Sequence, residues 1–152
     1  MAKAVSVEEL KGYIGKEIGI SDWLEINQDR INAFADCTED HQWIHVDKEK
    51  ARQGPFGTTI AHGYLTLSLL PYFGYQNKIV PSGIKMTINY GLNRLRFINP
   101  VPVGSRIRNR AVLKELNDKG EGRILMVTES TIEIEGQDKP AMVAETVSML
   151  FL

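Results

Sequence analysis

The chain has 152 residues, enough for one domain with a hydrophobic core and too few for two ordinary domains. Its hydrophobic fraction of 43% and charged fraction of 24% are typical of a soluble globular protein. The net charge of -1 excludes the global positive field of a nucleic-acid-binding protein, so no nucleic-acid partner is expected.

Cysteine usage and hydropathy bear on the compartment. The single cysteine, Cys37, excludes an intramolecular disulfide and favours a reducing compartment, most simply the cytoplasm. It lies near the apolar face of a predicted helix, where a small core residue is expected. Residues 1–17 lack the apolar segment of a signal peptide. The most apolar segment, YLTLSLLPYFGY, is well short of the ~20 residues that span a bilayer, so no membrane partner is expected.

The first half of the chain carries helix signals. The predicted N-caps are Ser6, Asn27 and Asp47, and Glu9 completes a capping box with Ser6. EIGISDWLEI is expected to be a strand, and DHQWIH to be irregular chain. IAHGYLTLSLLPYFGYQ is apolar nearly all round, which predicts a helix buried on most sides.

The second half of the chain changes in character. It contains four long segments rich in β-branched residues, often alternating and bounded by Gly, Pro or Asn: GIKMTINYGLNRLRF, SRIRNRAVLKEL, GRILMVTESTIEIEG and KPAMVAETVSMLFL. Helices followed by strands favour an α+β fold, in which one antiparallel sheet carries a buried helix.

The segment DHQWIH holds two of the three histidines and offers three interpretations. Asp40 and His45 can position a water and exchange protons with it. Alternatively, Asp40 turns the chain and His45 is an ordinary buried histidine. A metal site formed by His41 and His45, four residues apart on a helix, is less favoured because the segment lacks the Glu of the zinc-hydrolase motif.

His62 and Gly63 open the apolar segment. A glycine at a helix start lets a ligand approach unsatisfied N–H groups at the positive end of the helix dipole, which is an oxyanion-hole geometry. The alternative is a glycine required for tight helix–sheet packing. His62 is a substrate contact or, more simply, a donor to a loop carbonyl.

Arginines recur at alternate positions in two predicted strands. They are Arg94 and Arg96 in the first strand, and Arg106, Arg108 and Arg110 in the second. Each set lines one face of its strand. They either hold the phosphates of a nucleotide-like carrier, with Arg94, Arg96, Arg106 and Arg108 as the candidates, or form a solvated sheet face.

The phrase FADCTEDHQWIHVDKEKARQGPFGTTIAHGYLTLSLLP resembles the signature of the MaoC-like (R)-specific enoyl-CoA hydratases and dehydratases. INYGLNRLRFINPVPVGSRIR is similar to the nodulation-protein-N-like, single-domain subgroup. The resemblance implies one hotdog domain over residues 1–152, in which an antiparallel sheet wraps around a long central helix. It also implies a homodimer whose sheets join side by side.

The resemblance further implies roles for individual residues. Asp40 and His45 match the catalytic dyad that activates water, and Gly63 matches the backbone N–H that polarises the thioester carbonyl. The implied substrate is an acyl-CoA thioester of fatty-acid metabolism, with acyl carrier protein as a possible carrier, and no metal or other cofactor is implied. Gln42 and Trp43 depart from the family's Asn-Pro at these positions, and we expect this difference to reshape the pocket wall while leaving the spacing of the dyad intact.

Two other functions stay open for a hotdog domain. An acyl-CoA thioesterase would use a carboxylate such as Asp40 to activate water against the carbonyl carbon, but this leaves the Asp–His spacing and the Ala-His-Gly segment unexplained. A non-catalytic acyl-binding subunit is the third reading, since a fold does not fix a function. The presence of both dyad residues disfavours it.

Overall fold

The computed structural model describes residues 1–152. The strands are β1 (Lys3–Val5), β2 (Glu17–Ile20), β3 (Leu24–Glu25), β4 (Ile79–Pro81), β5 (Met86–Phe97), β6 (Arg106–Gly120), β7 (Arg123–Ile134) and β8 (Met142–Phe151). The helices are α1 (Val7–Leu10), α2 (Gln28–Thr38), α3 (Trp43–Val46), α4 (Lys48–Arg52), α5 (Gly63–Ser68) and α6 (Leu70–Gly74), with a 3₁₀ turn at Lys11–Tyr13.

The main sheet is antiparallel, with the strand order β2-β6-β7-β8-β5, and β3 also pairs with β6. The four long strands correspond to the four segments predicted in the second half of the chain. β5 is the last strand of this order, so one of its edges has no partner strand. A separate parallel pair joins β1 to β4. The α+β prediction is confirmed.

The three predicted caps are all present. Ser6 and Glu9 make both bonds of the capping box, at 3.1 Å from the Glu9 N–H and 2.8 Å from the Ser6 N–H. Asn27 accepts from the Arg30 N–H at 2.9 Å, and Asp47 accepts from the Lys50 N–H at 3.0 Å. These bonds satisfy N–H groups that the first turn of a helix leaves free.

The central helix is shorter than expected and consists of two pieces, α5 and α6. The two pieces meet at Leu69, which stays in the right-handed helical region and ends α5 with its N–H directed at the carbonyls of Leu67 and Thr66. Pro71 follows in the first turn of α6. Proline has no N–H and its ring collides with the carbonyl four residues earlier, so it begins a helix more readily than it continues one.

The core has two parts. The larger cluster lies between the helices and the sheet and includes Ile31, Leu65, Phe73 and Ile132. The smaller cluster is formed mainly by the N-terminal elements and β6: Val5, Leu10, Ile18, Ala111 and Leu113. None of the helices is long and apolar enough to cross a membrane.

Cys37 was expected in the core, and this prediction is wrong. The apolar face of α2 is formed by the buried Ile31 and Ala35 with the half-buried Phe34, whereas Cys37 is exposed. Cys37 lies two residues after Ala35, about 200° around the helix, and therefore points to solvent.

Candidate active site

Asp40 is positioned by the end of α2. The helix stops at Thr38, and Glu39 adopts the left-handed conformation with a φ of 64°. This reverses the chain direction, and Asp40 to Gln42 follow as irregular chain, with the Gln42 N–H 3.3 Å from an Asp40 carboxylate oxygen. The segment DHQWIH was expected to be irregular throughout; its second half is instead the single helical turn α3.

His45 lies in α3 with only 6% of its surface exposed. Its Nδ1 donates to the Ile60 carbonyl at 2.7 Å, since a carbonyl oxygen can only accept. The neutral ring therefore keeps a free lone pair on Nε2. Burial lowers the pKa of His45 below its usual value, and nearby His62 lowers it further, while the bond to Ile60 and the charge of Asp40 oppose this.

The partner of His45, Ile60, belongs to an extended segment, residues 59–61, that is clamped on two sides. The Ile60 N–H donates to the Ile44 carbonyl at 3.0 Å, which ties the segment to α3. On the other side, the Ala61 N–H donates to Val101 at 2.8 Å and the Val103 N–H donates to Thr59 at 2.9 Å. The segment therefore delivers His62 and Gly63 at a fixed distance from His45.

Gln28, the first residue of α2, links these parts and was not recognised from the sequence. Its Nε2 donates to the His45 carbonyl at 2.8 Å and to Asn32 at 2.9 Å, and its Oε1 accepts from the Thr59 hydroxyl at 2.6 Å. No local pattern could have revealed this role, because His45 and Thr59 lie 17 and 31 residues away.

His62 is 3% exposed, and its ring contacts the rings of His45 and Phe34. It stacks on His45 with ring centroids 3.8 Å apart and an interplanar angle of 23°, and Phe34 lies 4.9 Å away at a tilt. Its Nε2 donates to the backbone carbonyl of Asp40 at 2.9 Å, which is the bond to a loop carbonyl expected from the sequence. Its buried Nδ1 has no hydrogen-bond partner.

Asp40, His45 and His62 thus form a cluster whose carboxylate and ring atoms lie within 4.8 Å of one another. This set differs from the His41 and His45 pair considered for a metal. A zinc ion lies about 2.0–2.1 Å from a ligating ring nitrogen and close to the ring plane. Two rings stacked 3.8 Å apart cannot both direct in-plane lone pairs at one such ion, so the cluster is a poor metal site. A water bound by Asp40 and His45 fits the spacing better, because two hydrogen bonds of about 2.8 Å span it.

Gly63 is the first residue of α5, as the oxyanion-hole hypothesis requires. No backbone acceptor within the chain takes its N–H. The packing hypothesis also has support, because a Cβ on Gly63 would lie 3.0–3.1 Å from ring atoms of Phe97 in β5. The two explanations are compatible: the ring of Phe97 fits closely against a backbone whose N–H stays available.

His41 does not join the cluster. It precedes α3 rather than sharing a helix with His45, and its Nε2 lies 2.9 Å from the Asp36 carboxylate at the surface. The hydrogen bond that the His41 ring donates to the Asp36 carboxylate raises the pKa of His41 above its usual value. The arrangement that would have made His41 and His45 joint metal ligands is therefore absent.

The arginines are not brought together. Arg94 and Arg96 lie on β5, whereas the others lie on β6, three strand spacings or about 14 Å away across β8 and β7. Acidic partners already engage the β6 set: Arg106 with Glu135, Arg108 with Glu133, and Arg110 with Glu17 and Glu133. Of these five arginines, Arg94 and Arg96 alone make no ion pair. They are therefore the remaining candidates for a phosphate-binding patch, and both lie on β5.

Trp43 starts α3 and is half-buried. Its ring faces the following segment, where a Cβ on Gly54 would lie 2.9 Å from it and the ammonium of Lys50 stands 5.1 Å from its centroid. The departure at Trp43 thus builds the packing between α3 and the loop after α4.

A family profile described as "MaoC like domain" matches residues 9–136. The chain belongs to the MaoC-like family. It is 52% identical over 142 residues to the 3-hydroxyacyl-thioester dehydratase Z of Mycobacterium tuberculosis, covering 93% of each chain. It is 42% identical over 147 residues to Nodulation protein N of Rhizobium leguminosarum bv. viciae, covering 96% of this chain and 91% of that one.

Structural comparison agrees with this membership. The (R)-hydratase of A. caviae superposes with a TM-score of 0.72 at 24% identity, covering 89% of this chain and 94% of that one. The hotdog fold expected from the sequence is confirmed. This MaoC-like protein is an enzyme of the hydratase and dehydratase type, a hydro-lyase.

Proposed function

We propose that the MaoC-like chain catalyses the (R)-specific hydration of trans-2-enoyl-CoA and, in reverse, the dehydration of (R)-3-hydroxyacyl thioesters. The observation that carries this proposal is the Asp40 carboxylate and the His45 ring within 4.8 Å of each other, beside a helix start with a free N–H at Gly63. The names of a 52%-identical relative, a 3-hydroxyacyl-thioester dehydratase, and of an (R)-hydratase with the same fold support it.

Water addition assigns one task to each dyad residue. The Nδ1–H of His45 is held by Ile60, so the free Nε2 accepts a proton from the water as its oxygen bonds to C3 of the enoyl group. Asp40 orients that water, takes the same proton from the Nε2–H of the resulting imidazolium and delivers it to C2. One water is added across the double bond, and both residues return to their initial protonation states.

The second requirement of the reaction is stabilisation of the negative charge that develops on the thioester oxygen. Electrons of the C2–C3 bond move toward the carbonyl as water attacks, giving an enolate-like oxygen. The Gly63 N–H at the first turn of α5 donates to this oxygen, where it acts without reorganisation. The ring of Phe97 packs closely against Gly63 and places an apolar group beside this helix start.

The proposed carrier is CoA, with acyl carrier protein as the other thioester carrier that this site can serve. The proposed assembly is a homodimer, because β5 has an unpaired edge and exposes Met86, Ile88, Tyr90 and Leu92. The proposed compartment is the cytoplasm, since the exposed lone Cys37 suits a reducing environment.

The test is incubation of the protein with crotonyl-CoA while the enoyl absorbance and free thiol are both followed. Hydration predicts loss of absorbance without thiol release and formation of (R)-3-hydroxybutyryl-CoA by chiral analysis. Thiol release without loss of the double bond would identify a thioesterase. Binding of the thioester without either change would identify a non-catalytic acyl-binding subunit.

A further inference from the structure

We propose that His62 is a positioning residue that holds Asp40, His45 and Gly63 as one unit; this inference rests on the proposed function. His62 contacts all three in different ways: through its Nε2, through its ring face and through its backbone. We assign no proton transfer to His62; its role is to fix the residues that carry the reaction.

The first contact fixes the loop of Asp40. The Nε2–H of His62 donates to the Asp40 backbone carbonyl at 2.9 Å. Asp40 stands in irregular chain after a left-handed Glu39, where few other bonds restrain it. This bond therefore fixes the position of the Asp40 backbone, from which the carboxylate extends. It also fixes the tautomer of His62, because Nε2 carries the hydrogen and Nδ1 is left as the unpartnered nitrogen.

The second contact fixes the ring of His45. The stack at 3.8 Å covers one face of the imidazole, and Phe34 contacts His62 in turn, with ring centroids 4.9 Å apart. A ring held by a stack and by the bond to Ile60 has little freedom to rotate. The same cover excludes water from His45 and thereby keeps its Nε2 in the neutral, proton-accepting form at neutral pH.

The third contact fixes the helix start. The backbone carbonyl of His62 accepts from the N–H groups of Leu65 at 3.1 Å and Thr66 at 3.3 Å, which opens α5 at Gly63. His62 thus orients the Gly63 N–H through its backbone and positions Asp40 and His45 through its side chain. A geometric error at His62 would displace all three groups together.

The titratable side chains that face His45 are Asp40 from the preceding loop and His62 from the helix start; the segment before His62 contributes only the Ile60 carbonyl. Burial and His62 both lower the pKa of His45. Removing the His62 ring admits water and must therefore raise the pKa of His45 toward its ordinary value, which a purely structural role elsewhere would not do.

Two substitutions separate the contacts. His62→Phe keeps a ring on His45 but removes the donor to Asp40, so kcat should fall on the order of 10–10²-fold with little change in KM. The ring still excludes water from His45, so the acidic limb of kcat/KM against pH should move less than in His62→Gln. His62→Gln keeps an amide donor but removes the ring, so the acidic limb should move to higher pH. Both are compared with His41→Gln, a surface histidine substitution that should alter neither quantity.

The two proposals fail in distinguishable ways. Absence of crotonyl-CoA hydration by the unaltered protein overturns the proposed function. Hydration by the unaltered protein, together with wild-type kcat and acidic limb in both folded variants, overturns the positioning role alone. If one variant does not fold by circular dichroism, the other decides: Phe by its kcat, Gln by its acidic limb.

Discussion

His45 has one ring nitrogen engaged by the fold and the other free for chemistry. The Ile60 carbonyl takes the Nδ1–H, and burial favours the neutral ring. A neutral imidazole with a fixed tautomer is the form that a general base needs. His41, four residues before His45, has the opposite environment: it is exposed, lies against Asp36 and has a raised pKa.

The dyad can be tested by near-isosteric substitutions. Asp40→Asn and His45→Gln should each lower hydration kcat by on the order of 10²–10⁴, because each removes a positioned proton-transfer group. Steady-state kinetics with crotonyl-CoA measure the effect. Asp36→Asn and His41→Gln alter the same residue types in the nearby surface pair and should leave kcat unchanged. Near-normal turnover in a folded dyad variant would remove that residue from the mechanism.

The pH dependence of kcat/KM should report His45. Its folded pKa lies below the ordinary value. In the proposed mechanism only the neutral ring can accept the water proton. Activity should therefore be full above an ordinary imidazole pKa of about 6.5 and be lost only as the pH falls through the lower folded value. The measurement is kcat/KM of the free enzyme across the acidic range. An acidic limb above about 6.5 would contradict this environment for the base.

At the scale of elements, the site depends on how α5 meets β5. Gly63 begins the helix, and the Phe97 ring near the end of β5 lies against it. Phe97 is itself 46% exposed and makes an edge contact with Tyr64, at 5.9 Å between ring centroids. Phe97 and Tyr64 therefore both lie at the start of α5, and the proposed role of the Gly63 N–H requires that helix and strand keep their separation.

Gly63→Ala tests this contact while keeping the backbone N–H. The added Cβ would lie 3.0–3.1 Å from Phe97, so the helix start must shift, and kcat should fall about 10–10²-fold. The double variant Gly63→Ala/Phe97→Leu removes the collision and should recover part of the loss. Crotonyl-CoA kinetics of the two proteins decide the matter. Equal losses in both would mean that crowding by Phe97 is not the cause.

At the scale of the whole molecule, β5 is the exposed side of the fold. It ends the sheet, and all of its residues except Leu95 are exposed, including several large apolar ones. A long unpaired edge with an apolar surface promotes association with another strand. Its charge is also distinct, since Arg94 and Arg96 lie on it without the ion pairs that engage the arginines of β6.

Assembly can be tested at this edge. Sedimentation at micromolar concentration should show a dimer of the 17.1 kDa chain. Replacing Ile88 and Leu92 of β5 with Lys should shift it toward monomer, because charges on an edge strand oppose pairing. Ile14→Lys changes a similarly exposed apolar residue outside the sheet and should leave the dimer intact. A stable, active monomer of the unaltered chain would contradict the proposed assembly.

Binding of the phosphates of the proposed CoA carrier by the arginines of β5 can also be tested. A net charge of -1 gives no global attraction for CoA, so any steering must be local. Replacing Arg94 and Arg96 with Ala should raise KM for enoyl-CoA with kcat nearly unchanged, and the effect should shrink as salt rises. Arg106→Ala, whose side chain is already paired with Glu135, is the control and should leave KM unchanged. An unchanged KM of the double variant at low salt would assign these arginines to the solvated surface.

Features that depend on neighbouring residues could be predicted from the amino-acid sequence alone. The caps at Ser6, Asn27 and Asp47, and the long strands of the second half, follow from local hydrogen bonding and side-chain alternation. The spacing of Asp40 and His45 and the glycine after His62 identified the candidate site residues. The interactions that determine these features join residues only a few positions apart, so the local sequence pattern predicts them.

Only the tertiary structure decided which distant groups meet. The stack of His62 on His45, the bond of Gln28 to the His45 carbonyl and the ring of Phe97 over Gly63 join residues 17 to 34 positions apart. The same packing separated Arg94 from Arg106, which the sequence grouped by charge alone, and divided the central helix near Pro71. These outcomes depend on chain reversal and on the order of strands in the sheet, which local periodicity does not encode.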